Sequence, residues 1–352
     1  MYTNSLPNDN EPISAPDPVT RGQKNPSTPE DRKECRVSVD NLSVTYHPSF
    51  AISDGQANRV MNDVIEEVSD VLGATPGDWI EHEQGYKSYR RSLIGPANSR
   101  FCFSPKVGWD FHLSLPGKAC QKAGTERLKA YFSSFVNAGA KARRVDLTLD
   151  DYQKRITPAQ FFEQIRGPNK VTHSRKALTI SGVELGKPAT GETVYLGAPQ
   201  SSRRLRMYDK SFESGGKIDA YRWELQERNR AAEKAASELA SGDWNQVVRS
   251  RLVGFVDFRE RGSAGHIQDR LRWEPYEELI GGVEKAEAYF PVDDKSIEEI
   301  EEWFVKQNGP ILAVLLQHNG GDLSAIAEYA RDGRRRWRPK HLALNASSNK
   351  KY

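Results

Sequence analysis

Apolar and polar side chains alternate in a series of short stretches over the first two thirds of the chain. Between Cys35 and about Leu115, the segments RVSVDNLSVTYH, GYKSYRRSL, RFCFSP and WDFHLSLP show a two-residue period, which places apolar groups on one face of an extended strand. Between the first two of these, Val60, Val64, Val68 and Leu72 recur every four residues, the spacing of a single stripe on an amphipathic helix. A second helix is expected from about Gly117 to Ala138, ending near Gly139. A similar order then returns. ARRVDLTLDDY resembles the opening VDNLSVTYH, TPAQFFEQIRG offers Thr157 as a helix cap with Pro158 at the first position, and strands follow at KALTISGVEL, ETVYLG, SRRLRMYDK and AYRWELQER. This order suggests an internal duplication in which each half supplies a strand, a helix and a ribbon of strands.

After Arg228 the chain turns rich in Ala and Glu and reads as helical to near Val256, then passes through a polar, Gly-bearing connector at 261–272. Residues 273–342 read as a smaller helical region, with short helices at Ser296 to Phe304, Ile311 to Gln317 and Leu323 to Arg331. Residues 1–33 carry Pro, Asn, Ser and Asp with almost no large apolar groups and are expected to be a disordered arm, and 343–352 a disordered tail. The expected fold is α+β: a mostly antiparallel sheet with packed helices over residues 34–260 and a helical C-terminal appendage.

Strand parity brings in the chemistry. In VDLTLDD, Asp146, Thr148 and Asp150 share the face opposite Val145, Leu147 and Leu149. In LRMYDK, Arg206, Tyr208 and Lys210 oppose Leu205 and Met207; in YRWELQ, Arg222, Glu224 and Gln226 oppose Tyr221, Trp223 and Leu225. If the three strands adjoin, Asp146, Glu224, Tyr208, Arg206 and Lys210 converge. Two or three carboxylates without histidine or thiolate form a hard oxygen site suited to Mg²⁺ or Mn²⁺, ions that polarise phosphate oxygens. A tyrosine beside such an ion and flanked by Arg206 and Lys210 is expected to have its phenolate favoured, which is the profile of a covalent nucleophile for a phosphodiester. The bland reading of the same pattern is a solvated sheet face of alternating charge.

Composition narrows the class. With 37% hydrophobic and 28% charged residues, and no apolar run of membrane-spanning length or signal-peptide layout at the N-terminus, a cytoplasmic protein with no membrane partner is expected. Cys35, Cys102 and Cys120 share no close spacing, which argues against a disulfide framework or a thiolate zinc site. The net charge of +3 is small but uneven: Asp293 to Glu302 is acidic, whereas Arg331 to Lys340 holds six basic residues against one aspartate. In that basic run, Arg334, Arg335, Arg336 and Arg338 suit phosphate contacts, and Trp337 suits base stacking or anchoring of the segment. Arg143, Arg203, Arg204, Arg249 and Arg251 would extend a positive track.

Several of these segments, taken in order, resemble the replication initiation factor family (Rep_trans), the rolling-circle initiators of certain staphylococcal plasmids and filamentous phages. RRVDLTLDD, ETVYLGAPQSSRRLRMYDK and YRWELQERNRAA place Arg144, Asp146, Asp150, Asp151, Tyr195, Gly197, Arg206, Tyr208, Lys210, Arg222, Glu224 and Arg228 at the family's motif positions. VDNLSVTYH and WDFHLSLPGKAC are similar to the family's opening strand and ribbon, so the likeness covers about residues 36 to 260. One departure is the turn Gly197 to Ser202, GAPQSS, which displaces the usual basic residue to Arg203. The resemblance implies a nicking domain over residues 34–260 that cuts and rejoins one strand of an origin through a 5′-phosphotyrosine. Tyr208 would be the nucleophile, with Tyr195 and Tyr221 as lesser candidates. Asp146 and Glu224 would hold the divalent ion with Asp150 or Asp40 as third ligand, and Arg206 and Lys210 would neutralise the scissile phosphate. Arg143, Arg144, Arg203, Arg204 and Arg222 would meet DNA. Implied partners are double-stranded origin DNA, single-stranded DNA, a host helicase and polymerase, and a second copy of the chain to supply another tyrosine; the helical tail inclines the resemblance toward a filamentous phage.

Two enzymatic rivals fit less well. None of the seven histidines is separated from another by a single residue, as a His-hydrophobic-His nicking enzyme requires, and Tyr208 lies in an alternating segment rather than on the late helix of a tyrosine recombinase. The rival of another kind is an origin-binding or regulatory protein without chemistry. Carboxylates on a DNA-facing surface argue against it, because they repel phosphate unless a cation bridges them.

Overall fold

The computed structural model describes residues 34–47, 54–82, 84–105, 110–180, 191–262, 265–283, 297–335 and 337. The expected arm at 1–33 and tail at 343–352 lie outside the described residues. The first half comprises β1 (Cys35–Tyr46), α1 (Asp54–Val71), the ribbon β2 (Ile80–His82), β3 (Tyr89–Ile94), β4 (Arg100–Pro105) and β5 (Phe111–Pro116), and the long helix α2 (Gly117–Asn137). Gly139, in the left-handed region at φ +72, ends α2 and donates its N–H to Val136 O. The second half opens with β6 (Lys141–Asp151) and α3 (Pro158–Arg166). It continues through β7 (Lys170–Val171), β8 (Ala177–Ile180), β9 (Thr193–Leu196), β10 (Arg203–Asp209), the short α4 (Lys210–Glu213), β11 (Tyr221–Arg228) and α5 (Arg230–Ser241). Thr157 caps α3 by accepting from Gln160 N, with Pro158 inside the first turn.

Ten strands form one antiparallel sheet in the order β2-β3-β4-β5-β1-β6-β11-β10-β9-β8. The two halves of this order match strand for strand about the central β1–β6 pair, where Asn41 faces Asp146. The registers match as well. Thr45 faces His112 as Asp150 faces Arg222, and Ser43 faces Ser114 as Thr148 faces Glu224. One strand further out, Cys102 faces His112 as Tyr208 faces Arg222, and Arg100 faces Ser114 as Arg206 faces Glu224. Beyond that, Ile94 faces Arg100 as Tyr195 faces Arg206, and Ile80 faces Ile94 as Leu178 faces Tyr195. A pseudo-twofold axis therefore runs through the Asn41–Asp146 pair, and the duplication expected from VDNLSVTYH and VDLTLDDY is carried by the whole topology.

Alternation along each strand decides which face holds the core. Val145, Leu147 and Leu149 of β6, Leu205 and Met207 of β10, and Trp223 and Leu225 of β11 are all fully buried. At about 1.5–3 kcal/mol for each large side chain removed from water, this face fixes the register, since a one-residue slip would expose all of them. Helices α2, α5 and α6 (Trp244–Phe255) pack across β1 and β6 on this side, and α3 across β9 and β10. The core reaches past residue 260. Beyond β12 (Asp257–Phe258), α7 (Glu274–Ile280) buries Tyr276, whose ring lies 6.0 Å from Trp223 and 5.1 Å from Phe258, and whose hydroxyl donates to Val256 O at 2.7 Å. The two short helices expected around Phe304 and Ile311 form instead one helix, α8 (Ile297–His318), which continues through Pro310 and precedes α9 (Leu323–Arg334). Among the described residues no helix is long and apolar enough to cross a membrane.

Candidate active site

On the face opposite the helices, β6, β11 and β10 adjoin in that order, so the polar residues read from strand parity do come together. The register stacks them in rows: Asp150, Arg222, Tyr208 and Thr193 in one, and Thr148, Glu224, Arg206 and Tyr195 in the next. Asp146, Asp150, Arg222, Glu224 and Tyr208 are all buried. Buried charge is tolerated only when paired, and each carboxylate here has its own arginine. Arg222 grips Asp150 in a fork, Nε to Oδ1 at 2.6 Å and Nη2 to Oδ2 at 2.8 Å, and reaches Asp40 Oδ1 with Nη1 at 3.3 Å. Arg144 holds Asp146 through Nε at 2.9 Å and Nη2 at 2.5 Å, while Arg206 Nη2 donates to Glu224 Oε2 at 2.5 Å.

Tyr208 sits inside this array. Its hydroxyl donates to Glu224 Oε2 at 3.5 Å, the Arg206 guanidinium lies 4.9 Å from its ring centre, and Lys210 Nζ lies 5.8 Å away. Burial pushes the phenol's pKa well above its ordinary value, and Glu224 adds to that; Arg206 and Arg222 pull the other way without prevailing. The expectation that flanking cations favour the phenolate is therefore not met in this arrangement, because the carboxylates that come with those cations, and the loss of water, outweigh them. Lys210 opens α4 and pairs with Glu213 Oε2 at 2.9 Å.

The donor set fits a divalent ion in chemistry, being oxygen-only, but not as the expected trio. Among the described residues no three acidic, histidine or cysteine side chains converge in a ligand cluster. Asp150 is committed to Arg222. Asp40, next to an irregularity of β1 where the pairing shifts between Val39 and Asn41, reaches the same guanidinium. Burial raises the pKa of both Asp40 and Glu224, and Asp146 raises each further; Asp40 also raises Glu224. Arg222, Lys210 and Arg206 offset this repulsion at Asp40, and Arg206 does so at Glu224. Gly117 leaves room for Asp40: a Cβ there would stand 2.7 Å from its Oδ1.

The basic residues divide differently from the positive track read along the chain. Arg203 is on the core side with Leu205 and Met207, its Nε donating to Glu227 Oε1 at 2.8 Å and its Nη2 to Arg251 O at 2.9 Å. Arg251 is itself buried against Glu227. Arg203 and Arg222 are thus engaged in ion pairs that tie neighbouring strands together. Arg204 stays on the site face, stacked 4.0 Å from the Tyr195 ring centre. Arg143 bonds His47 Nε2 through Nη2 at 2.8 Å and lies 3.5 Å from Glu233. In the C-terminal run, Arg334 lies over the Trp337 ring at 5.4 Å and Arg335 pairs weakly with Asp332 at 3.9 Å; Arg336 and Arg338 lie outside the described residues. The sequence did not single out His112, which stands in the first half where Arg222 stands in the second, or Lys87, which precedes β3 and donates to His112; the faint repeat of VDNLSVTYH was the signal that leads to His112.

A duplicated antiparallel sheet that gathers a tyrosine, acids and arginines on the face away from its helices defines an α+β protein. Residues 140–328 match the replication initiation factor family, and the chain belongs to that family. It is 21% identical over 295 residues to a protein of Bacillus subtilis (strain 168) assigned as the DNA relaxase NicK, covering 76% of this chain and 83% of that one. Its fold is similar to that of a rolling circle replication initiator protein from Geobacillus stearothermophilus, with a TM-score of 0.59 and 18% identity over 72% of this chain and all of the other.

Proposed function

We propose that this protein nicks and rejoins one strand of DNA at a replication origin, with Tyr208 as the nucleophile, and thereby starts rolling-circle replication. The observation that carries the reading is the hydroxyl of Tyr208, paired across the strands with Arg222, donating to a buried carboxylate of the next row, Glu224, which is paired with Arg206. In the nicking step the Tyr208 oxygen forms a bond to phosphorus, and the bond from phosphorus to the 3′ oxygen breaks. The phenol's proton leaves along its hydrogen bond toward Glu224, and the departing 3′ oxygen takes up a proton to become the free hydroxyl that primes a polymerase. Burial disfavours ionised Glu224 and so makes it a better proton acceptor than an exposed carboxylate. Arg206 and Lys210 face the charge that builds on the phosphate. Because the phosphodiester energy is kept in the phosphotyrosine, the reverse attack by a 3′ hydroxyl reseals the strand without ATP.

Asp146 and Glu224 are the residues that would hold Mg²⁺ or Mn²⁺, with no third carboxylate gathered to them among the described residues, and the ion would polarise the scissile phosphate. The raised phenol pKa supports a role for such a cation, since Tyr208 needs added positive charge to ionise near neutral pH. Origin duplex, single-stranded DNA, a host helicase and polymerase, and a second protomer belong to the same reading. It is tested by incubating the protein with supercoiled DNA carrying the origin of its own genetic element, with and without Mn²⁺. Ion-dependent conversion to open circles is expected from the wild type, and none from Tyr208→Phe although that variant still binds. Equal nicking by the two would refute Tyr208, and binding without nicking would favour an origin-binding protein.

A further inference from the structure

The pseudo-twofold axis carries the site of the second half onto a set of residues in the first. Thr45 stands where Asp150 stands, His112 for Arg222, Cys102 for Tyr208, Ser114 for Glu224 and Arg100 for Arg206. The exchange is systematic. Both carboxylates have become hydroxyl residues and the tyrosine has become a buried cysteine, whereas the cation Arg100 remains. In the second half Arg206 is neutralised by Glu224; its counterpart Arg100 faces Ser114 and rests on the Tyr86 ring at 4.8 Å.

A second cation has been added. Lys87 is exposed, and its Nζ donates to His112 Nε2 at 3.2 Å, while His112 Nδ1 meets Thr45 Oγ1 at 3.0 Å. That geometry requires a neutral imidazole carrying its hydrogen on Nδ1. The Tyr89 ring stacks on the same imidazole at 5.9 Å and fixes its plane. Loss of water lowers the Lys87 pKa first; Arg144 and Arg228 repel its ammonium further, with the Cys102 thiol acting in the opposite sense. Arg144 has Asp146, but Lys87, Arg100 and Arg228 have no carboxylate partner among the described residues; Arg228 donates to Pro199 O. Like charges gathered without counter-ions repel, and an anion bridging them removes the cost.

We propose that this counterpart is a second, non-catalytic phosphodiester site, in which Lys87 and Arg100 hold the backbone of the DNA strand beside the nick while the duplicated half performs the cut. It rests on the reading of the protein as a DNA nicking enzyme. A sheet with one cutting row and one gripping row about a single axis keeps the strand in place after the 3′ end is released, when only the 5′ link to Tyr208 would otherwise hold it.

The test measures the affinity of the full chain for a single-stranded oligonucleotide across a range of salt, for wild type, Lys87→Gln, Arg100→Gln and Lys87→Arg. Each Gln variant is expected to flatten the log–log slope by about 0.7 and to weaken binding about fourfold at 0.15 M salt, while Lys87→Arg keeps the wild-type slope. A neutral methylphosphonate, moved along the oligonucleotide, is expected to reproduce the loss at one linkage in the wild type and to add nothing there in Lys87→Gln. Wild-type slope and affinity in both Gln variants, with the wild-type protein still nicking, would overturn this inference and leave the nicking reading intact. Inorganic phosphate binding as tightly as the oligonucleotide would overturn it in favour of a free-anion site, and a wild-type protein that binds no DNA would remove both readings.

Discussion

His112→Gln isolates the pH response of the first-half site. His112 is buried, and its pKa is pushed down from 6.5 to about 4 by burial first, then by Lys87 and Arg143. At about 1.4 kcal/mol per pH unit, this depression is worth about 3 kcal/mol. The sign follows from proton counting: between pH 6.5 and 4 the unfolded chain binds a proton on this imidazole and the folded chain does not. The contribution is therefore present in full above pH 6.5 and is lost as pH falls toward 4. Glutamine offers an amide oxygen to Lys87 and an N–H to Thr45 without titrating. Other groups titrate alike in the two proteins, so the difference between them reports His112. In urea unfolding followed by tryptophan fluorescence, wild type minus variant stability is expected to shrink by about 3 kcal/mol between pH 7 and pH 4. Parallel stability curves across that range would refute the neutral, buried imidazole and the Lys87 hydrogen bond built on it.

Arg222→Ala leaves Asp150 buried without its fork and is expected to cost about 3–5 kcal/mol by thermal or urea unfolding; a loss below 1 kcal/mol would contradict the pairing. Arg203→Ala and Arg204→Ala separate the two faces of β10: the first is expected to lower stability with little change in DNA affinity, the second to weaken DNA binding with a stability change of about 0.5 kcal/mol or less. Mn²⁺ is expected to raise the melting temperature of the wild type, more strongly as pH rises, because Glu224 has a raised pKa and must ionise to bind it. Asp146→Asn is expected to remove that shift, which differential scanning fluorimetry can follow.

Much of the architecture was legible because burial on one face imposes a two-residue period. Val145, Leu147 and Leu149 gave β6, and the same parity put Asp146, Asp150, Arg206, Tyr208, Arg222 and Glu224 on the opposite face, where they are found. Parity also placed Arg203 with Leu205 and Met207, but its company of arginines suggested a surface track; its partner Glu227 lies across the strand pair at a position the linear sequence does not advertise. The pairing of Arg222 with Asp150 joins residues 72 apart and depends on the register of β6 against β11. The phenol's raised pKa was likewise hidden, since neighbouring cations can be read from the sequence and loss of water cannot. Lys87 and His112 became visible only once the registers of the two halves were compared. The short helices read at Ser296 to Phe304 and Ile311 to Gln317 run on as the single helix α8, which passes through Pro310.

The central claim is that Tyr208 attacks the scissile phosphate. The most direct measurement is peptide mapping of the protein–DNA adduct formed with Mn²⁺ on origin DNA of the chain's own genetic element, trapped by denaturation and digested with protease and nuclease. A nucleotide linked through its 5′ phosphate to the peptide containing Tyr208 is the predicted result. Linkage to Tyr195 or Tyr221, or nicking with no protein-linked 5′ end, would contradict it.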